Sequence, residues 1–259
     1  MPPSSSRSWY HTIDLPGGAT TPGWIDTRPV ARLVPWPPAL QGGRCLDVGA
    51  FDGFWSFEME RRGAAEVIAI DVDDPEQLDF ALDYRATGPR HIKEIRAERG
   101  PGFAEAKAAL GSSVVRRNRS VYELDPVEDG RFDVVLCGAI LLHLRDPLLA
   151  SERIRDVCDG TLILVELVDA KLELLTPRYP SAAVRPYADQ WWVTNSPGME
   201  RLLWTGGWAV VQRGRRFLFP YGPAGPSRND QSWLTGIAAR KPGRRGILGR
   251  IWLARPRPL

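Results

Sequence analysis

Apolar residues gather along this 259-residue chain in short, nearly unbroken runs separated by amphipathic stretches. The runs at 44–49, 66–70 ("EVIAI"), 132–140 ("FDVVLCGAI") and 160–168 ("GTLILVELV") read as buried strands, and "RRNRSVYEL" adds a short one between the second and third of them. Strands this continuous in apolar residues belong to a parallel sheet covered on both faces. The intervening segments have the longer helical period. In 53–62, Phe54, Phe57, Glu58 and Arg61 fall at helical intervals. "PGFAEAKAALGS" and "PLLASERIRDVC" predict two further helices. "SPGMERLLWTGG" predicts another, with Ser196 as its cap, Pro197 in the first turn and a glycine stop. Near the end, "WAVVQRGRRFLF" and "LTGIAAR" are strand-like with no helix between them, which predicts an antiparallel edge pair. Residues 1–40, rich in Pro, Gly and Trp, read as an extended arm with a short helix around Pro29–Val34. The fold class is α/β, Rossmann-like, with a mostly parallel sheet.

Composition adjusts this picture in three places. The apolar fraction of 43% suffices for a sizeable core. Ten tryptophans are many, and several fall outside the periodic segments, where aromatics line pockets or pack under loops. Cys45, Cys137 and Cys158 lie inside apolar patterns with no CxxC or Cys/His cluster, so buried free thiols are expected and no metal site. No apolar run approaches a membrane span and "MPPSSSRSWYHTI" lacks a signal-peptide core, giving a cytoplasmic expectation with no membrane partner. The net charge is only +3, but no acid follows Asp230, while Arg240, Lys241, Arg244, Arg245, Arg250, Arg255 and Arg257 do. The organisation expected is an arm and lid at 1–40, a main domain at 41–240 and a solvated basic tail at 241–259.

The chemistry concentrates in "LDVGAFDGFWSFEMERRGAAEVIAID", residues 46–71. A strand, a glycine turn and a helix N-terminus present backbone N–H groups to a ligand, and Asp71 at the tip of the next strand can accept both hydroxyls of a ribose. The spacing is Asp47-x-Gly49-x-x-x-Gly53. Phe51 occupies the place of the second glycine of dinucleotide binders, where its bulk hinders a pyrophosphate. The unit, with Phe51 and Asp52 in its turn, therefore suits a nucleoside without phosphates.

"LDVGAFDG" followed by "IAIDV", with "FDVVLCGAILLHLRDP" downstream, resembles the first motifs of the class I S-adenosylmethionine (SAM) methyltransferases. The resemblance covers most of residues 40–240. It implies a seven-stranded sheet with an antiparallel C-terminal edge, and SAM as cofactor. Gly49, Ala50 and Phe51 would contact the methionine part and the ribose, beside Asp47 and Gly53 of the same motif. Asp71 would hold the ribose hydroxyls, Val72 would pack on adenine, and Ser120 and Val121 match the position that reads the adenine edge. Cys137 and Gly138 would lie beside the sulfonium.

The flanks "WYHTIDL…TPGW…DTRP", "GAILLHLRDPL" and "RPYADQWWVTNSPGMERLLWTGGW" are similar to the tRNA wobble-uridine carboxymethyltransferase family, which uses carboxy-SAM. By that resemblance Trp24 and Arg28 match residues holding the methionyl end of the cofactor. The family's carboxylate clamp is missing: its tyrosine is Leu142 here, its arginine falls at about Leu234, and only Arg7 stands near its lysine. A buried extra carboxylate facing aliphatic carbon would be costly. Ordinary SAM and methyl transfer to an oxygen or nitrogen of a small-molecule or glycan-like acceptor are therefore expected. A tRNA-modifying enzyme and a non-catalytic SAM-binding protein are the alternatives. Candidate bases are His143 after the fourth strand, His11 in the aromatic arm, and Glu166 at the end of the fifth strand, with Asp169 just beyond it. Trp191 and Trp192 stand where this fold grows substrate-binding insertions.

Overall fold

The computed structural model describes residues 8–81, 100–184, 190–225 and 246–258. The arm supplies β1 (Trp9–His11), β2 (Gly23–Ile25) and a single helical turn, α1 (Arg28–Ala31). Then follow β3 (Arg44–Val48), α2 (Phe54–Arg61), β4 (Glu66–Asp71), α3 (Pro101–Leu110), β5 (Val115–Asn118), β6 (Phe132–Gly138), α4 (Pro147–Asp156) and β7 (Cys158–Leu167). The remainder comprises α5 (Ala170–Leu175), β8 (Ala182–Val184), β9 (Trp192–Thr194), α6 (Ser196–Thr205), β10 (Trp208–Pro220) and β11 (Gly246–Pro256).

Seven strands form one sheet in the order β10-β11-β7-β6-β3-β4-β5. The five from β7 to β5 pair in parallel, and β11 runs antiparallel to both its neighbours. Alternate residues feed two apolar layers, as the pleat requires. Cys45, Val134, Ile163 and Val165 face α2, α3 and the arm. Leu46, Val135, Leu162 and Leu164 face α4 and α6. The chain leaves β3 toward one edge and β6 toward the other, so the topological switch point lies between their C-terminal ends.

Two expectations change. The predicted strand "LTGIAAR" falls outside the described residues, and the partner of β10 is β11, inside the stretch expected as a solvated tail. In β11, Ile251 and Leu253 face one layer while Trp252 and Ala254 face the other, the pattern of a strand covered on both sides. Its arginines disguise that pattern. Arg250 is buried near Glu173 and Glu200, and Arg257 lies over the Trp204 ring at 3.7 Å. The cap of α6 also moves by one residue. Asn195, not Ser196, is extended there, and its Oδ1 accepts the Gly198 N–H at 2.9 Å. The longer amide side chain also donates to the Thr176 and Tyr179 carbonyls, stitching the helix start to the loop before β8.

One buried carboxyl ties β7 to the turn after β6. Glu166 Oε2 accepts the Leu141 N–H and Oε1 the Leu167 N–H, each at 2.9 Å, and the residue is 1% exposed. Burial pushes the carboxyl up to about 8, against the opposing pull of these N–H groups.

Two measurements test this arrangement. Trp252→Ala should cost about 3–5 kcal/mol in urea unfolding, because it empties a fully buried site in a strand paired on both sides; a change within about 0.5 kcal/mol would mean a loose tail. For Glu166, a folded-state value above the unfolded one means more protons bound in the native state. Its contribution to stability is complete below the ordinary glutamate range and is lost as pH rises through about 8. Glu166→Gln should lose about 1–3 kcal/mol by turning an amide donor toward a backbone N–H. Its stability should also fall less steeply between acid and weakly alkaline pH than that of the wild type. Parallel curves would sink the assignment.

Candidate functional site

The turn after β3 is built by backbone geometry. Gly49 takes φ +76°, and its N–H and that of Ala50 donate to the Ile70 carbonyl at 2.9 and 3.1 Å. A Cβ at Gly49 would lie 2.4 Å from Ile140 Cδ1, so glycine meets both the dihedral and the close approach. Phe51 also holds a positive φ, 50°, and its N–H donates to Asp71 Oδ2 at 2.7 Å. Asp71 Oδ1 accepts the Val72 N–H at 2.8 Å. The acid at the tip of β4 thus clamps the turn at the tip of β3. A carboxylate at this strand tip is an acceptor of the kind that hydroxyl donors seek.

Asp47 lies beneath the turn. Ser56 Oγ donates to its Oδ2 at 2.5 Å, while Oδ1 is buried with no hydrogen-bond partner among the described residues. Burial raises this carboxyl to about 7, opposed by the Ser56 hydrogen bond and by His11. A buried, unpaired carboxylate oxygen calls for a cationic donor, which the ammonium of a methionyl group supplies. A nucleoside joined to an amino acid therefore fits the residues present: Asp71 for ribose hydroxyls, Asp47 for the ammonium. Beside them, Arg119 N–H donates to the Asp71 carbonyl at 2.9 Å, and Ser120 caps a helical turn at Val121–Glu123 through a reciprocal bond with Glu123. This brings Ser120 and Val121 to the rim of the same turn.

At the end of β6, Cys137 is fully buried and its thiol is pushed well above its ordinary value by burial. Gly138 admits the Trp55 ring, whose Nε1 would lie 2.5 Å from a Cβ there. His143 closes the helical turn Leu141–His143 and is half-buried. Glu166 acts beneath that turn, on its backbone. Trp191 and Trp192 are half-buried. The Trp191 indole donates to the Asp79 carbonyl and that of Trp192 to the Arg145 carbonyl, so the insertion is fastened across the loops after β4 and β6.

The arm reaches the turn directly. Asp52 Oδ2 accepts the backbone N–H groups of Tyr10 at 2.9 Å and His11 at 2.8 Å, while Oδ1 meets His11 Nδ1. Tyr10 packs on Phe51 with ring centroids 5.2 Å apart. Trp24 sits edge-on to Tyr221 at 5.2 Å, and the Ile25–Tyr221 bridge joins β2 to the end of β10. Arg28, expected on the cofactor carboxylate, instead pairs with Asp26 at 2.8 Å and Asp14 at 2.5 Å; these acids hold its guanidinium well above the usual arginine value. Asp52's hold on the arm escaped the sequence reading because its partners lie 41 and 42 residues upstream and only the folded arm brings them there. An apolar groove of about 360 Å³, lined by Pro147, Leu148, Trp192 and Leu202 with Arg201 beside them, lies along α4 and α6 and includes none of the turn residues.

Among the described residues, no helix is long and apolar enough to cross a membrane. The chain is 28% identical over 177 residues to the tRNA U34 carboxymethyltransferase of Pseudomonas putida (strain W619). That alignment takes in 67% of this chain and 48% of the relative, so the chain spans about half the length of the curated protein it matches. Among solved structures it is similar to the 1,6-didemethyltoxoflavin-N1-methyltransferase of Burkholderia thailandensis, with 16% identity, a TM-score of 0.53, and 90% of this chain and 78% of that one covered. It is similar also to a putative SAM-dependent methyltransferase of Listeria monocytogenes, with 13% identity, a TM-score of 0.53, and 90% and 98% covered. These likenesses show the fold, which is that of the SAM-dependent methyltransferases. The family described as methyltransferase domain matches residues 25–213. The chain belongs to the methyltransferase-domain family.

Proposed function

We propose that this protein transfers a methyl group from SAM to an oxygen or nitrogen of a small-molecule or glycan-like acceptor. The observation that carries this reading is the arm. Its first strand is bonded through two consecutive N–H groups to Asp52 of the cofactor turn, and its second is bridged to the end of β10. A segment so fastened acts as a lid that excludes water from the sulfonium and leaves room for a compact acceptor. SAM supplies the activated methyl group. Asp71 holds the ribose, Asp47 the ammonium, and Gly49, Ala50, Phe51 and Gly53 shape the turn beneath it. Val72, Ser120 and Val121 line the adenine side, Cys137 and Gly138 the sulfonium side. Trp24 supports the arm, and Arg28 braces it through Asp14 and Asp26. His11 and His143 are the bases that can take a proton from the acceptor, and Glu166 positions the turn that bears His143.

The match to a tRNA-modifying protein favours a second reading, in which the acceptor is a tRNA nucleoside. Leu142 weighs against the carboxymethyl version of it, because this side chain is 2% exposed and apolar where a carboxylate would need a hydroxyl or cation.

Asp71→Ala should weaken SAM binding by about 1–3 kcal/mol in calorimetric titration, since the ribose hydroxyls lose a charged partner; equal affinities would remove the ribose assignment. In competition, SAM should displace carboxy-SAM, and a preference for carboxy-SAM would restore the tRNA carboxymethyl reading. Mass spectrometry of extracts from cells with and without the protein should reveal a methylated small molecule rather than an altered tRNA nucleoside.

A further inference from the structure

His11 enters the cofactor turn from the arm, and its ring is fixed on several sides. Nδ1 meets Oδ1 of Asp52, with the side chains 8% and 3% exposed. The ring stands edge-on to Tyr10 at 4.7 Å and against Phe54 at 5.7 Å. The other oxygen of Asp52 is occupied by the N–H groups of Tyr10 and His11, so the carboxylate cannot swing away without releasing the arm. A carboxylate can only accept, and the neutral ring beside it therefore carries its proton on Nδ1. That leaves the lone pair on Nε2, which makes no hydrogen bond among the described residues. Two acids face the ring, Asp52 from the turn and Asp47 from β3, together with the Tyr10 phenol from the arm.

We infer that Asp52 is the positioning residue of a His–Asp pair, in which it fixes the tautomer of His11 so that Nε2 takes the acceptor's proton during methyl transfer. This rests on the methyl-transfer reading above. The acceptor's lone pair forms the new bond to the methyl carbon as the carbon–sulfur bond breaks. The bonding pair returns to sulfur, giving S-adenosylhomocysteine, and the acceptor's proton passes to Nε2. The resulting imidazolium is stabilised by the Asp52 carboxylate.

Asp52→Asn separates the two roles. Its amide oxygen can still accept the Tyr10 and His11 N–H groups, but its NH₂ donates to Nδ1 and demands the opposite tautomer, with the proton on Nε2. The test is carbethoxylation of the full chain by diethyl pyrocarbonate, followed at the His11 peptide by mass spectrometry across pH 5–9, with SAM affinity measured on the same samples. In the wild type, His11 should react at Nε2 with a rate that rises as the ring loses its proton, and saturating SAM should slow it. In Asp52→Asn the rate should fall at least tenfold while SAM affinity stays within about threefold. A wild-type His11 that does not react in the folded protein overturns the inference, as does an Asp52→Asn variant that reacts equally fast. If the wild type does not bind SAM, the methyl-transfer reading fails separately, and the tautomer is still decided by the reactivity of His11.

Discussion

Phe51 is a bulky residue held at a positive φ, a conformation that costs a non-glycine residue about 1–3 kcal/mol. It persists because the structure fixes it at both ends. Its N–H is taken by Asp71, and the next residue, Asp52, is taken by the arm. Released from Asp71, the turn would relax toward ordinary backbone and carry Asp52 with it. Asp71, the turn and the arm therefore form one continuous hydrogen-bonded unit. A ligand that strengthens any part of it favours the closed arrangement of the rest.

Two buried carboxyls sit beneath this unit, and their environments set their tasks. Asp47 has one oxygen satisfied by Ser56 and the other unpaired, so it is poised for a cation. Glu166 has both oxygens satisfied by backbone N–H groups, so its role is to hold the turn after β6 in shape. Both are raised by burial into the neutral range, to about 7 and about 8. The two turns flanking the switch point, after β3 and after β6, thus each rest on an acid whose charge depends on pH. Binding of an ammonium beside Asp47 would favour its ionised form, which links cofactor occupancy to protonation.

Two additions to the core sheet cover the loops at the C-terminal ends of its parallel strands. The arm spans from the turn to the end of β10, and the β8–β9 insertion spans the loops after β6 and β4 through its two tryptophans. The arm also packs Trp9, Ile13, Ile25 and Val30 into the apolar layer that faces α2 and α3, whereas the insertion is fastened through its two indole bonds to backbone carbonyls. Of the two, the insertion is the segment expected to open at lower cost when substrate enters or product leaves.

The sequence by itself determined the sheet's inner strands, because parallel strands buried on both faces must be continuously apolar and β3, β4, β6 and β7 are so. It also determined the turn after β3, because Gly49 and Asp71 answer local demands of dihedral and strand end that any reader of residues 46–71 meets. The C-terminal strand was hidden, since Arg250 and Arg257 suggest solvent until Glu173, Glu200 and Trp204 are brought beside them. Arg28 looked available for a ligand until Asp14 and Asp26 closed on it. Asp52 read only as part of a turn suited to a ligand without phosphates, and its hold on the arm came from two N–H groups more than forty residues away. The division follows the range of the forces involved. Burial period and backbone dihedral are written into neighbouring residues, whereas the partner of a charge is chosen by whichever distant segment the fold delivers to it.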